Sequence, residues 1–233
     1  MRTAAILPVK RLQQSKQRLR ASIDERLRVQ LVQAMAEDVL SALAGCDAIE
    51  RTIVVTSEPH MSRFAAAQGA LVVPDTAEEG QSAAVALGVA QACACGYARA
   101  LCVPGDCPTL DPDELSELLD EDGTRATAAR RPPPRAVIVP DRHDTGTNGL
   151  LLSPPDAISP SFGPGSCARH RALADAGGVV WRLRRPPSLL LDVDTGDDLD
   201  VLRARLAGSA PRAACTRVAL GAGCDTAPHA VTA

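Results

Sequence analysis

The chain has 233 residues and 24.3 kDa, enough for one sizeable domain and a core of ordinary proportions. With 45% apolar and 23% charged residues and a net charge of −3, it is neither a disordered tail nor a nucleic-acid binder held by bulk charge. Four aromatic residues, Phe64, Tyr97, Phe162 and Trp181, are too few for a base-stacking platform, so the core is built from Ala, Leu and Val.

Short β-rich runs alternate with helical patterns. Thr3 to Leu7 reads as a strand, and Glu25 to Ala44 as a helix with Leu27, Leu31, Met35, Val39 and Leu43 on one face. Arg51 to Thr56 is the next strand, and Pro59 opens a helix to Gln68. Ala70 to Val73 is a third strand, followed by an Ala-rich helix from Ser82, and Ala98 to Val103 is a fourth. Asp111 caps a helix with Pro112 at its first position and Glu114 three residues after the cap, ending near Leu119. Glu121 to Arg135 is charged and Pro-rich, hence a loop. Short strands are predicted at Ala136–Val139, Gly149–Leu152, Val179–Arg184 and Leu189–Leu191, with helices at Cys167–Ala176 and Thr195–Leu206. Residues 207–233 lack a period and are expected to form a flexible tail outside a single domain of residues 1–206. The alternation argues for an α/β fold, a mostly parallel sheet with helices on both faces.

Eight cysteines without a Cys-x-x-Cys pair suit small buried thiols better than a disulfide scaffold or a zinc site. Met1 leads straight into a strand with no signal-peptide apolar region, and the Ala-rich stretch from Ser82 is too weakly apolar to span a bilayer. A soluble, cytoplasmic protein with no membrane and no nucleic-acid partner is expected.

In an open parallel sheet, ligands bind beyond the carboxyl ends of the strands. The first strand is followed there by Lys10, Arg11, Lys16 and Arg18, the fourth by Pro104-Gly-Asp-Cys-Pro108, and the last by Asp192-Val-Asp194. Strand-end carboxylates suit Mg²⁺, and Lys and Arg neutralise polyphosphate. Gly105 would let the backbone come close to a ligand. The Walker pattern, Gly-x-Gly-x-x-Gly and Gly-x-Ser-x-Gly are all absent, which sets aside P-loop NTPases, most dinucleotide dehydrogenases and α/β-hydrolases.

Pro8-Val-Lys10 with Ser15-Lys16-x-Arg18, Gly105-Asp-Cys-Pro108, Asp141-Arg-His-x-Thr-Gly-Thr-Asn148, Phe162-Gly-Pro-Gly-Ser166 with Arg169-His170, and Asp192-Val-Asp194 form one ordered set. In it the chain resembles the CofC/FbiD-type guanylyltransferases of coenzyme F-420 biosynthesis over about residues 3–206. Two positions depart from that pattern: Gly80-Gln-Ser82 stands where a Gly soon followed by Asn would flank the nucleobase, and Gly196 replaces a Pro.

The resemblance implies a single-domain GT-A-like, Rossmann-like nucleotidyltransferase that uses GTP, Mg²⁺ and a small phosphorylated carboxylic acid. Phosphoenolpyruvate is favoured, with 2-phospho-L-lactate next. Asp106, Asp192 and Asp194 would hold the metal, with Lys16 and Asp106 as the catalytic pair. Lys10 and Arg18, with Gly80, Gln81 and Ser82, would bind the nucleotide. Thr147, Gly163 and Ser166 would bind the acid, at turns that supply hydroxyls and backbone N–H groups. Expected partners also include a second copy in a homodimer and a downstream transferase that receives the unstable product. Other readings stay open: 3-phosphoglycerate, a sugar phosphate or molybdopterin as acceptor, a GT-A-like glycosyltransferase, and a non-catalytic nucleotide-binding regulator.

Overall fold

Thr3–Val9 forms β1 at the centre of the sheet, because its side chains are apolar on both faces and nearly all are buried. Arg51–Thr56 (β2) and Arg99–Cys102 (β4) flank it in parallel, with Ile6 opposite both Ile53 and Cys102. The computed structural model describes residues 1–123, 133–208 and 212–221. Leu71–Pro74 (β3), Arg135–Pro140 (β5), Thr147–Ser153 (β6) and Val180–Leu183 (β7) complete a seven-stranded sheet of order β3-β2-β1-β4-β6-β5-β7. Only β6 runs against its neighbours.

The two faces of the sheet have separate cores. Ala5, Leu7 and Val9 pack with Glu25–Ala44 (α1), Pro59–Ala67 (α2) and Pro112–Gly123 (α4), whereas Ala4 and Ile6 meet Gln81–Ala94 (α3) and Ser166–Ala176 (α5). At Gly88 of α3 an added Cβ would collide with Ile6 and come 3.2 Å from Val55 Cγ2, so glycine there lets the helix lie directly on β1 and β2. The chain leaves β1 towards β2 on one face and returns to β4 through α3 on the other. The resulting switch point lies between β1 and β4. A third cluster joins the outer side of α1 to Gly196–Ala207 (α6) through Leu31, Met35, Leu199 and Leu202.

Several expectations need correction. Leu189–Leu191 is not a strand: Pro186 and Pro187 lack N–H groups for a ladder, and Pro187–Leu189 forms a 3-10 turn instead. The helix from Pro112 continues to Gly123, since no breaker precedes that glycine. The rest of the predicted loop, 124–132, lies outside the described residues. Glu114 does not fold back on its cap but accepts from Ser188 N at 2.9 Å, while Asp111 accepts from Asp113 N at 3.0 Å.

The reading of 207–233 as a tail outside the fold fails for residues 212–221. Ala214–Ala219 forms α7, which packs against α1 and donates Cys215 N and Thr216 N to the buried Asp38 carboxylate at 2.9 and 2.8 Å. A buried carboxylate needs such donors, and the first turn of α7 supplies them. Residues 222–233 lie outside the described part. Among the described cysteines, Cys46, Cys102, Cys107 and Cys167 are buried, but Cys93 and Cys95 are exposed at the end of α3. No helix among the described residues is long and apolar enough to cross a membrane.

Candidate active site

After β1 the chain makes a 3-10 turn at Leu12–Gln14, passes Lys16, and makes a second turn at Gln17–Ala21. Leu12 and Leu19 anchor this excursion in the third core cluster. A fully buried Arg28 on α1 fastens it from below, donating to the carbonyls of Leu12 (3.3 Å), Gln13 (2.8 Å) and Ser15. Lys16 itself sits in the left-handed region at φ 53°, a conformation that a non-glycine residue holds only when its surroundings impose it.

Its ammonium lies between two carboxylates, donating to Asp106 Oδ2 and Asp194 Oδ1. Asp106 follows β4. Val193 N donates to the Asp106 carbonyl at 3.1 Å, tying the Asp192-Val-Asp segment to that strand end. With Val193 buried between them, Asp192 and Asp194 both face the cleft. Behind them Thr195 and Asp198 form a capping box at the start of α6; Asp198 also accepts from Asp194 N at 3.1 Å and pairs with Arg142.

Burial alone pulls the Lys16 ammonium down, but Asp106 and Asp194 more than offset it and hold its pKa above the ordinary lysine value. Asp192 is pushed up to about 6, by burial first and then by the neighbouring Asp106 charge, against the hydrogen bond from Asn148 Nδ2 at 3.0 Å. This end of the cleft therefore carries more negative charge than one lysine neutralises.

The opposite wall comes from the β5–β6 hairpin and α5. Because β6 is antiparallel, it brings its first residues, Thr147 and Asn148, to the edge where the other strands end. Asp141 shapes the hairpin loop by accepting from His143 N, Thr145 N, Thr145 Oγ1 and Gly146 N at 2.8–3.0 Å. Gly163 and Gly165, at φ 104° and 74°, form the turn that feeds α5, a path open to glycine. Arg169 braces that turn through the carbonyls of Ser161 and Phe162, both at 3.0 Å. Ser166 is buried at the N-terminal end of α5, and its hydroxyl has no hydrogen-bond partner among the described residues. Ser166 N and Cys167 N already donate to the carbonyls of Gly163 and Thr145 at 3.0 and 3.2 Å, so the unpaired hydroxyl is the group at this helix start left to meet an anion.

The two walls enclose one cleft of about 860 Å³. It gathers ten of the residues predicted from sequence, Lys10, Lys16, Arg18, Gln81, Asp106, Thr147, Gly163, Ser166, Asp192 and Asp194. Gly80 and Ser82 are not among its lining residues. Gly80, at φ 103°, precedes α3, and Ser82 Oγ accepts from Phe162 N at 2.8 Å, which joins α3 to the α5 turn. Arg11 also turns away, to Glu78 at 2.6 Å. Gly105 has no positive φ, and a Cβ there would meet Ala36 Cβ at 3.4 Å, an ordinary contact, so neither the backbone nor the packing demands glycine.

Asp106 and Asp194 already converge on one cation, the Lys16 ammonium, and offer hard oxygen donors, so the pair fits Mg²⁺, which takes one or two carboxylates and leaves other positions for water and phosphate. Among the described residues no group of three His, Cys, Asp or Glu side chains is gathered to hold a metal, so the predicted trio with Asp192 is not preassembled. Sequence reading missed Arg28 and gave no role to Arg142 and Asn148, although both lie in the Asp141–Asn148 motif. Asp198 left a local signal of its own, the Thr195-x-x-Asp198 spacing of a capping box.

Comparison with known proteins decides the family. The model described as guanylyl transferase CofC like matches residues 3–214. The chain belongs to this family. A phosphoenolpyruvate guanylyltransferase from Conexibacter woesei is 48% identical over 217 residues, covering 93% of this chain and 94% of the relative. One from Sphaerobacter thermophilus is 36% identical over 91% of this chain and 95% of the relative. A 3-phospho-D-glycerate guanylyltransferase from Phenylobacterium zucineum is also 36% identical, over 83% and 86%. Among solved structures, a Desulfovibrio desulfuricans protein described as a nucleotide-diphospho-sugar transferase superposes with a TM-score of 0.71 at 17% identity, covering 95% of both chains. A 4-diphosphocytidyl-2C-methyl-D-erythritol synthase superposes at 0.59 and 16% identity, covering 88% of this chain and 98% of its own. These two likenesses speak for the fold alone. The CofC-like chain is thus a single-domain nucleotidyltransferase, with the cleft at the switch point of its sheet.

Proposed function

We propose that this CofC-like enzyme transfers GMP from GTP to the phosphate of phosphoenolpyruvate and releases pyrophosphate. The observation that carries this reading is one cleft with two unlike ends. One holds basic residues and convergent carboxylates, and the other holds the unpaired Ser166 hydroxyl at a helix start. An anionic oxygen of the acid's phosphate attacks the α-phosphorus of GTP, and the bond from that phosphorus to the bridging oxygen of pyrophosphate breaks. The nucleophile is already ionised, so no side chain has to remove a proton. The protein's task is to position two anions and stabilise the charge between them.

Asp106 and Asp194, with Asp192 beside them, are the residues that would hold Mg²⁺, which when bound neutralises phosphate charge. Lys10, Lys16 and Arg18 face the triphosphate and the departing pyrophosphate, and Gln81 faces the nucleoside. Gly80 shapes the start of α3 and Ser82 ties that start to the acceptor wall. Thr147, Gly163 and Ser166 receive the acid. The product joins the acid to GMP through a phosphoanhydride, whose reactivity supports hand-over to a downstream transferase; a homodimer and a cytoplasmic location complete the proposal.

Pyrophosphate release with GTP, Mg²⁺ and phosphoenolpyruvate tests it, with 2-phospho-L-lactate and 3-phosphoglycerate as competing acceptors. Wild-type enzyme should prefer phosphoenolpyruvate. Asp106→Asn should lose about a hundredfold or more of the rate, as expected when a metal ligand worth several kcal/mol is removed. A variant that kept most of its rate would overturn the assignment of Asp106. A clear preference for 3-phosphoglycerate would overturn that of the acceptor.

A further inference from the structure

His170 is fully buried on α5, and its two ring nitrogens have neighbours of different kinds. Nε2 lies 2.9 Å from the backbone N of Ser161, which can only donate, so Nε2 presents its lone pair. Nδ1 lies 3.0 Å from Thr147 Oγ1. Burial, with Arg169 nearby, pulls the imidazole down to about 4, so the ring is neutral and its single proton resides on Nδ1. Phe162 holds the ring plane by an edge contact, with centroids 5.0 Å apart and planes at 72°.

The Thr147 hydroxyl must then accept from Nδ1–H, which leaves its own hydrogen to point elsewhere. Among the described residues no protein group accepts that hydrogen, and Thr147 lines the cleft. We infer that His170 is a positioning residue that turns the Thr147 hydroxyl into a donor aimed at the acceptor substrate. Beside the unpaired Ser166 hydroxyl, this donor selects an oxyanion over a substrate group that itself has to donate. The inference rests on the reading that places the acid at Thr147, and it makes acid binding depend on a histidine that does not line the cleft.

Two measurements test it. Nitrogen-15 NMR of the wild-type protein should find His170 in the Nδ1–H form near neutral pH. In kinetics, Thr147→Val and His170→Phe should each raise KM for phosphoenolpyruvate about tenfold, the loss expected for one charge-assisted hydrogen bond, with KM for GTP unchanged. His170→Phe introduced into Thr147→Val should add almost nothing, because the two residues act as one unit. His170→Asn, whose amide N–H can replace Nδ1–H, should restore KM for the acid to within about threefold of wild type at that energy scale. An Nε2–H ring, or a His170→Phe effect undiminished in the Thr147→Val background, overturns the inference and leaves the proposed function standing. An Nδ1–H ring together with a wild-type acid KM in Thr147→Val overturns the placing of the acid at Thr147, and the inference with it.

Discussion

Asp192 shows at the residue scale how a charge facing the cleft costs stability. Its carboxyl is raised from 3.8 to about 6, by burial and by Asp106, so between those two values the folded chain binds more protons than the unfolded one. Stability from this group therefore falls as pH rises from about 4 towards 6, and above that range the ionised carboxylate is a penalty of about 3 kcal/mol. Asp192→Asn should accordingly raise Tm by a few degrees at pH 7.5 without Mg²⁺, with the difference vanishing below pH 4, while guanylyl transfer falls sharply. Thermal melts across that pH range check the sign. Arg28 acts in the opposite sense, as a buried guanidinium that donates to three carbonyls of the Lys16 loop, those of Leu12, Gln13 and Ser15. Lysine cannot span those carbonyls, so Arg28→Lys should shift the loop and lower kcat by about tenfold to a hundredfold, the scale of a misplaced catalytic group. A kcat within twofold of wild type would show that the loop holds itself. Neither role is visible in the sequence, where Arg28 is one more charge on an amphipathic helix.

Elements with a long period or a strong boundary residue were legible, and those defined by a partner were not. The helix at Glu25–Ala44 shows its apolar face over twenty residues, and the start of α6 shows its cap. By contrast α7 has six residues and no apolar period, and it forms because Asp38 on α1 receives its first N–H groups. A chain ending at Gly208 would leave the Asp38 carboxylate buried without those donors, at a cost of about 1–3 kcal/mol for each lost bond. Its Tm should drop by about 5–10 °C. An unchanged midpoint in calorimetry would show that Asp38 finds water instead. The direction of β6 was hidden for a similar reason, since its side-chain pattern is the same whichever way the strand runs.

At the scale of the whole molecule, the alternation of strands and helices determined the α/β class, and the positions of basic and acidic residues after strands marked the edge where the cleft lies. Local chemistry sufficed for this, because hydrophobic period, proline and glycine act over a few residues. Motif order was enough to recognise the guanylyltransferase family and to name ten of the residues that line the cleft. The tertiary structure alone decided that Lys16 lies between Asp106 and Asp194, 90 and 178 residues away along the chain. It also decided that Asp106, Asp192 and Asp194 do not form a preassembled metal trio, that Ser82 joins α3 to the α5 turn and does not line the cleft, and that α7 docks on α1. Each of these depends on which charges and donors meet after the chain has crossed the sheet, and the balance between burial and pairing at those meetings exists only in the folded molecule.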